Sequence, residues 1–106
     1  MDAFKEYRDH VPSKPGGVGK STLFQSPRIL LGLNGLEPGA EQAVHAHADQ
    51  DKFYHVLEGR GVFTVGSEVR EAGPGAVVWA PCGVDHGVKN RGSERLVLLV
   101  GIAPAP

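Results

Sequence analysis

Cysteine is almost missing from this chain. Cys82 stands alone among 106 residues, so no internal disulfide can form and packing must hold the fold. A reducing compartment, the cytoplasm, is the expected setting. No basic patch or polybasic run is present either, and 11 Lys and Arg against 12 Asp and Glu leave a formal charge of -1. That balance argues against nucleic acid or an anionic membrane as partner and leaves a small molecule as the expected ligand. Long apolar runs are absent as well. The N-terminus, Met1-Asp2-Ala3-Phe4-Lys5-Glu6, is charged and lacks the apolar stretch of a signal peptide, and no run approaches the length of a membrane span.

Turn residues are what the chain has in quantity, with 15 Gly and 8 Pro, which suits short strands joined by tight corners. The length suffices for one domain with a core and is too short for two. Residues 1–20 read as an N-terminal arm, with a short helix capped by Asp2 and ended at Val11-Pro12. Lys14-Pro15-Gly16-Gly17-Val18-Gly19-Lys20-Ser21-Thr22 superficially suggests a phosphate loop. It has Lys14 where the first Gly of such a loop would stand, four residues intervening before Gly19-Lys20, and it lacks the apolar strand that would feed it, so it reads as flexible. Residues 21–106 read as an all-β domain, a sandwich or barrel. Its strand candidates are 21–25, 28–36, 41–47, 52–58, 61–65, 67–71, 76–80, 86–90 and 94–102, punctuated by turns such as Glu37-Pro38-Gly39 and Gly73-Pro74-Gly75. Leu96-Val97-Leu98-Leu99-Val100 is apolar on both faces. One face would fill the barrel and the other would need cover, most economically from a second subunit, so a homodimer is expected.

The chemistry concentrates in two stretches. In Gly39-Ala-Glu-Gln-Ala-Val-His45-Ala-His47, two imidazoles two residues apart would project from one face of a strand and could grip one cation. In the stretch from Gly75 through Pro81, Gly83 and His86 to Asn90, a His follows a rigid Pro-x-Gly turn that can bring it beside the first pair. Three neutral imidazoles converging on one point suit zinc, copper, nickel or iron, and leave coordination positions open for water or substrate.

Both stretches resemble the paired signature motifs of the cupin superfamily, in the manner of a small single-domain cupin of the cupin 2 type. Gly75, Pro81, Gly83, His86 and Asn90 fit the second motif at every fixed position, and Gly39, His45, His47 and Gly59 fit the first. The resemblance implies a jelly-roll β-barrel with His45, His47 and His86 as metal ligands. The first motif also asks for a Glu where this chain has Lys52, and an ammonium aimed at a divalent cation would be strongly repelled. Three readings stay open: Asp51 supplies the carboxylate, the site is a bare three-His site of the kind some cupin dioxygenases have, or Lys52 projects to the barrel mouth and holds an anionic substrate. His55 has the wrong strand parity for a fourth ligand. Tyr54, Val56, Phe63, Val78, Trp79 and Leu98 are expected to line the barrel, with Tyr54 and Trp79 nearest a pocket. Glu41, Asp51, Lys52, Tyr54 and Asp85 are the titratable groups near the site. In function the resemblance implies a metal-dependent enzyme on a small organic molecule, with dioxygen activation by iron first. The alternative is a non-catalytic barrel that binds or senses a small ligand, with or without metal.

Overall fold

A computed structural model describes residues 2–106. Nine strands form two antiparallel sheets: β1 (Val18–Gln25), β2 (Leu30–Leu36), β3 (Glu41–His45), β4 (Asp51–Glu58), β5 (Gly61–Val65), β6 (Glu68–Ala72), β7 (Val77–Ala80), β8 (His86–Lys89) and β9 (Leu96–Ala103). The larger sheet has the order β1-β2-β9-β4-β7 and the smaller β3-β8-β5-β6. Every strand expected from the turn residues is present, with ends displaced by at most a few positions. The chain is an all-β jelly-roll barrel.

Strand parity positions the interior. In β4, Lys52, Tyr54 and Val56 are buried, and their partners Ile102, Val100 and Leu98 in β9 face inward with them. Leu36, Tyr54, Val56, Phe63, Val88, Leu96, Leu98 and Val100 form the core between the sheets, with Val78 packed against it. Trp79 does not line the barrel as expected. It pairs with Phe53 on the opposite face from Val78 and Ala80 and is 56% exposed. Val77-Val78-Trp79-Ala80 is apolar on both faces, so the sequence carries no alternation to orient it.

The N-terminal segment differs from the flexible arm and helix expected of it. Residues Tyr7–His10 make a single 3-10 turn with no side-chain cap, and Asp2 instead accepts the backbone N–H of Phe4 at 3.0 Å. Lys5 Nζ donates to the Leu23 carbonyl at 2.7 Å, Tyr7 to the Glu58 carboxylate at 2.9 Å, and Ser21 Oγ to the His10 carbonyl at 2.8 Å. Lys14-Pro15-Gly16-Gly17 is a tight turn, closed by Gly17 N–H on the Lys14 carbonyl, that feeds directly into β1 at Val18. Pro12 crosses the outer face of the larger sheet so closely that a Cβ on Gly35 would lie 2.3 Å from its carbonyl oxygen.

This crossing bears on the need for a second subunit. Gly35, Leu33 and Val97 share the outer face, and Leu33 and Val97 are already fully buried within one chain. These two positions need no cover from a partner, and Pro12 lies against the same face at Gly35. Among the described residues, no helix is long and apolar enough to cross a membrane.

Candidate metal centre

β3 and β8 carry the site. His45 and His86 are direct cross-strand partners, while Gln42 is opposite Val88, so three steps along β3 match two along β8. This bulge puts Gln42 and His45, an odd number of residues apart, on the same inward face. Gly87 makes room for it: a Cβ there would lie 2.8 Å from the Gln42 carbonyl oxygen and 3.0 Å from Val44 N. β3 ends at His45, so His47 reaches the site from the following loop rather than from the strand. The Pro-x-Gly turn fixes that loop, because Gly83 N–H, at a φ of 78° that favours glycine, donates to the His47 carbonyl at 2.7 Å.

The three imidazoles converge. Ring centroids are separated by 4.8 Å for His45 and His47, 4.6 Å for His45 and His86, and 5.3 Å for His47 and His86, and one ligand nitrogen from each lies within 4.8 Å of the others. Nδ1 of His45 faces the Ala43 carbonyl at 2.7 Å and Nδ1 of His86 faces the Val84 carbonyl at 3.1 Å. Carbonyls only accept, so both Nδ1 atoms carry the proton and both Nε2 atoms present a lone pair. His45 Nε2 lies 3.2 Å from His47 Nε2. Two nitrogens bound to one tetrahedral zinc at about 2.0–2.1 Å stand about 3.3 Å apart, so the pair already has a chelating separation. His86 Nε2 is buried and has no hydrogen-bond partner. A buried lone pair without a donor is costly, and a cation is the partner this donor set fits. Burial, then neighbouring positive groups, holds His47 and His86 below the ordinary imidazole value, while the Val84 contact of His86 works the other way. Neutral imidazoles are the form that ligates.

The other residues singled out from the sequence separate clearly. Asp51 is exposed, and its carboxylate accepts Cys82 N–H at 2.9 Å, so it ties down the Pro81-Cys82-Gly83 turn instead of joining the imidazoles. Lys52 takes the inward position and is only 4% exposed. Its Nζ lies 3.4 Å from Gln42 Oε1 and 4.8 Å from the centre of the Tyr54 ring. Tyr54 lies fully buried beneath it and donates to the same Gln42 oxygen at 2.6 Å. Burial pushes the Tyr54 phenol up, so it remains a hydrogen-bond donor near neutrality. Trp79 is on the far side of β4 from this group. Glu41 and Asp85 are exposed, and His55 faces outward opposite Leu99 and Val77. Cys82 is an exposed free thiol. His10 lies in the exposed 3-10 turn.

A cleft of about 440 Å³ opens beside His45 and His47, lined also by Lys20, Gln42, Gln50, Lys52 and Ile102. Lys20 was not singled out from the sequence, because its place depends on β1 beginning at Val18. Its partner Asn34 faces the interior beside Leu98, which brings Lys20 round to the same side as Lys52.

Burial, followed by the charge of Lys20, lowers the Lys52 ammonium from 10.5 to about 8. The folded value lies below the unfolded one, so between them the unfolded chain binds more protons. Stability is therefore reduced below pH 8 and recovered as pH rises toward 10.5. From pH 7 to 9.5 the chelator-treated protein is expected to gain about 2 kcal/mol, read from urea unfolding, and Lys52→Met is expected to lack this gain.

The sequence model of the cupin domain matches residues 32–102. An uncharacterized protein of Streptomyces coelicolor is 36% identical over 82 residues, 77% of each chain. A crystal structure from Thermus thermophilus superposes with a TM-score of 0.93 at 40% identity, covering 97% of this chain and 98% of that one. A Thermotoga maritima protein described as a predicted oxalate decarboxylase superposes with a TM-score of 0.78 at 25% identity, covering 83% and 81%. With the family's domain spanning β2 to β9 and all three imidazoles inside it, this chain belongs to the cupin family.

Proposed function

We propose that the chain is a metal-dependent enzyme acting on a small organic molecule at the centre formed by His45, His47 and His86. The observation that carries this reading is the buried, partnerless Nε2 of His86 beside the paired Nε2 atoms of His45 and His47. Iron for oxygen-dependent chemistry comes first, and zinc, nickel and copper suit the same donors. A bound cation would supply Lewis acidity and, if iron, redox chemistry, with positions left open for substrate. Lys52, at about 8, is the cleft group able to hold or release a proton near neutrality, and Tyr54 keeps its own proton and orients Gln42. The description of the Thermotoga maritima neighbour, a predicted oxalate decarboxylase, supports small-molecule chemistry on this fold.

A homodimer forms part of the same proposal. With Leu33 and Val97 covered internally, support for it rests on Val77 and Trp79, exposed on the outer face of β7. The free Cys82 thiol suits a reducing compartment such as the cytoplasm.

Elemental analysis of protein purified without chelator or added metal tests the reading. About one transition-metal ion per chain is expected, and iron would direct the first assay to oxygen consumption. A metal-free protein, still empty after anaerobic reconstitution with iron, nickel, zinc and copper, overturns the enzyme reading and leaves a barrel that binds or senses its ligand without metal.

A further inference from the structure

The cleft beside the imidazoles collects positive charge and hydrogen-bond donors with no side-chain carboxylate to answer them. Lys52 from β4 and Lys20 from β1 line the same space. The ion pairs among the described residues are Arg8 with Glu6, Arg60 with Glu71, Arg70 with Glu68 and Arg95 with Glu58, and they include neither lysine. No Asp or Glu side chain lines the cleft; Pro106 does, and its carboxylate forms no ion pair with Lys20 or Lys52. Gln42 Oε1 is occupied by the Tyr54 hydroxyl and approached by Lys52, which leaves the Gln42 amide nitrogen as a further donor. A buried ammonium is costly without a counter-charge, and a divalent ion at the imidazoles would raise that cost. Where the family motif carries a ligand carboxylate, this chain carries a cation that no acidic side chain pairs, which leaves it free to meet a ligand's negative charge.

We propose that the cleft takes the carboxylate of a small 2-oxo or 2-hydroxy acid, held by Lys52 and the Gln42 amide with Lys20 at the rim, its second oxygen directed to the three imidazoles. Lys52 is the one buried cation of the cleft and Lys20 is exposed, so this wall matches a planar, singly charged carboxylate better than a bulkier tetrahedral phosphate dianion. Two adjacent oxygens suit a centre with open coordination positions next to a charged wall. The inference deepens the metal reading and rests on it for the second oxygen alone.

Isothermal titration calorimetry on the zinc-loaded protein tests it, with pyruvate and glycolate as probes, hydroxyacetone as the uncharged counterpart and inorganic phosphate as the competing anion. The parent is expected to bind one or both acids more tightly than hydroxyacetone or phosphate. Lys52→Met is expected to weaken acid binding by about tenfold or more while leaving hydroxyacetone binding and the zinc stoichiometry of the loaded protein unchanged. Lys20→Met, at an exposed position that leaves the core intact, is expected to weaken it by about threefold and serves if Lys52→Met does not fold. Equal acid affinity in the parent and whichever of these variants folds, tighter binding of phosphate, or no binding of either acid overturns the inference. A protein that takes up no metal yet binds an acid through Lys52 keeps the carboxylate site while the metal reading fails. Zinc uptake without acid preference overturns this inference and leaves the metal reading standing.

Discussion

His86→Ala is expected to lower metal affinity by about a hundredfold or more while hardly changing the stability of the metal-free barrel. The first half follows from ligand count. Structural zinc sites are worth about 10–16 kcal/mol over four ligands, so one imidazole carries about 3 kcal/mol, and 1.4 kcal/mol is tenfold. The second half separates a ligand from a packing residue. His86 is 1% exposed and packs against His45, His47 and Tyr54, so an ordinary buried side chain here would cost about 2–4 kcal/mol on truncation. Against that stands its buried Nε2 without a partner, a liability of about 1–3 kcal/mol that the substitution removes. The two nearly cancel in the absence of metal. Competition with a chromophoric chelator measures the first quantity and urea unfolding of chelated protein the second. Unchanged metal affinity with a loss of several kcal/mol would make His86 a core residue and dissolve the centre. His55→Ala, on the outward face of β4, serves as the control and should alter neither the site nor its affinity.

Much of this centre is legible in the sequence because its determinants are local. Gly and Pro mark the corners between strands, and the resemblance to the paired cupin motifs implies that His45 and His86 converge, which they do as partners across β3 and β8. Lys52 shares parity with Tyr54 and Val56, and the structure carries that alternation through position 52, where the sequence also leaves room for a bulge that would turn Asp51 inward. What escapes a sequence reading is set by pairing over distance. The β3 bulge turns Gln42 inward, and its one local mark is Gly87, a glycine that could serve several purposes. The close apposition of Lys20 to the cleft requires β1 to pair with β2 from Val18 onward, through glycines that also suit a loop. Pro12, crossing Gly35, lies against an apolar face that the sequence alone would hand to a partner. Trp79 fails for the opposite reason, since a strand apolar on both sides gives no parity to read.

Lys52→Glu, which restores the carboxylate of the family motif, is expected to raise metal affinity by on the order of a hundredfold and to abolish acid binding in the cleft. At a separation of about 5 Å and an effective dielectric near 20, one unit charge acts on another with about 3 kcal/mol. Removing a repulsion and adding an attraction of that size gives several kcal/mol before desolvation, and burying the new carboxylate in the metal-free protein takes part of it back. Gln42 can accommodate the change by turning its amide, so that nitrogen rather than oxygen faces position 52, although the Tyr54 hydroxyl then loses its acceptor unless the introduced carboxylate supplies one. The pH dependence should change in a defined direction. Lys52 is among the causes that hold His47 and His86 low, so a carboxylate in its place raises both imidazoles and makes protons stronger competitors for the nitrogens. Metal affinity of the variant should therefore fall at higher pH than that of the parent as acid is added, even though it starts from a tighter value at neutrality. Chelator competition at several pH values reads both effects. An affinity equal to the parent's at pH 8 would mean that the side chain at position 52 does not face the ion, and the inward placement of Lys52 would lose its bearing on the chemistry.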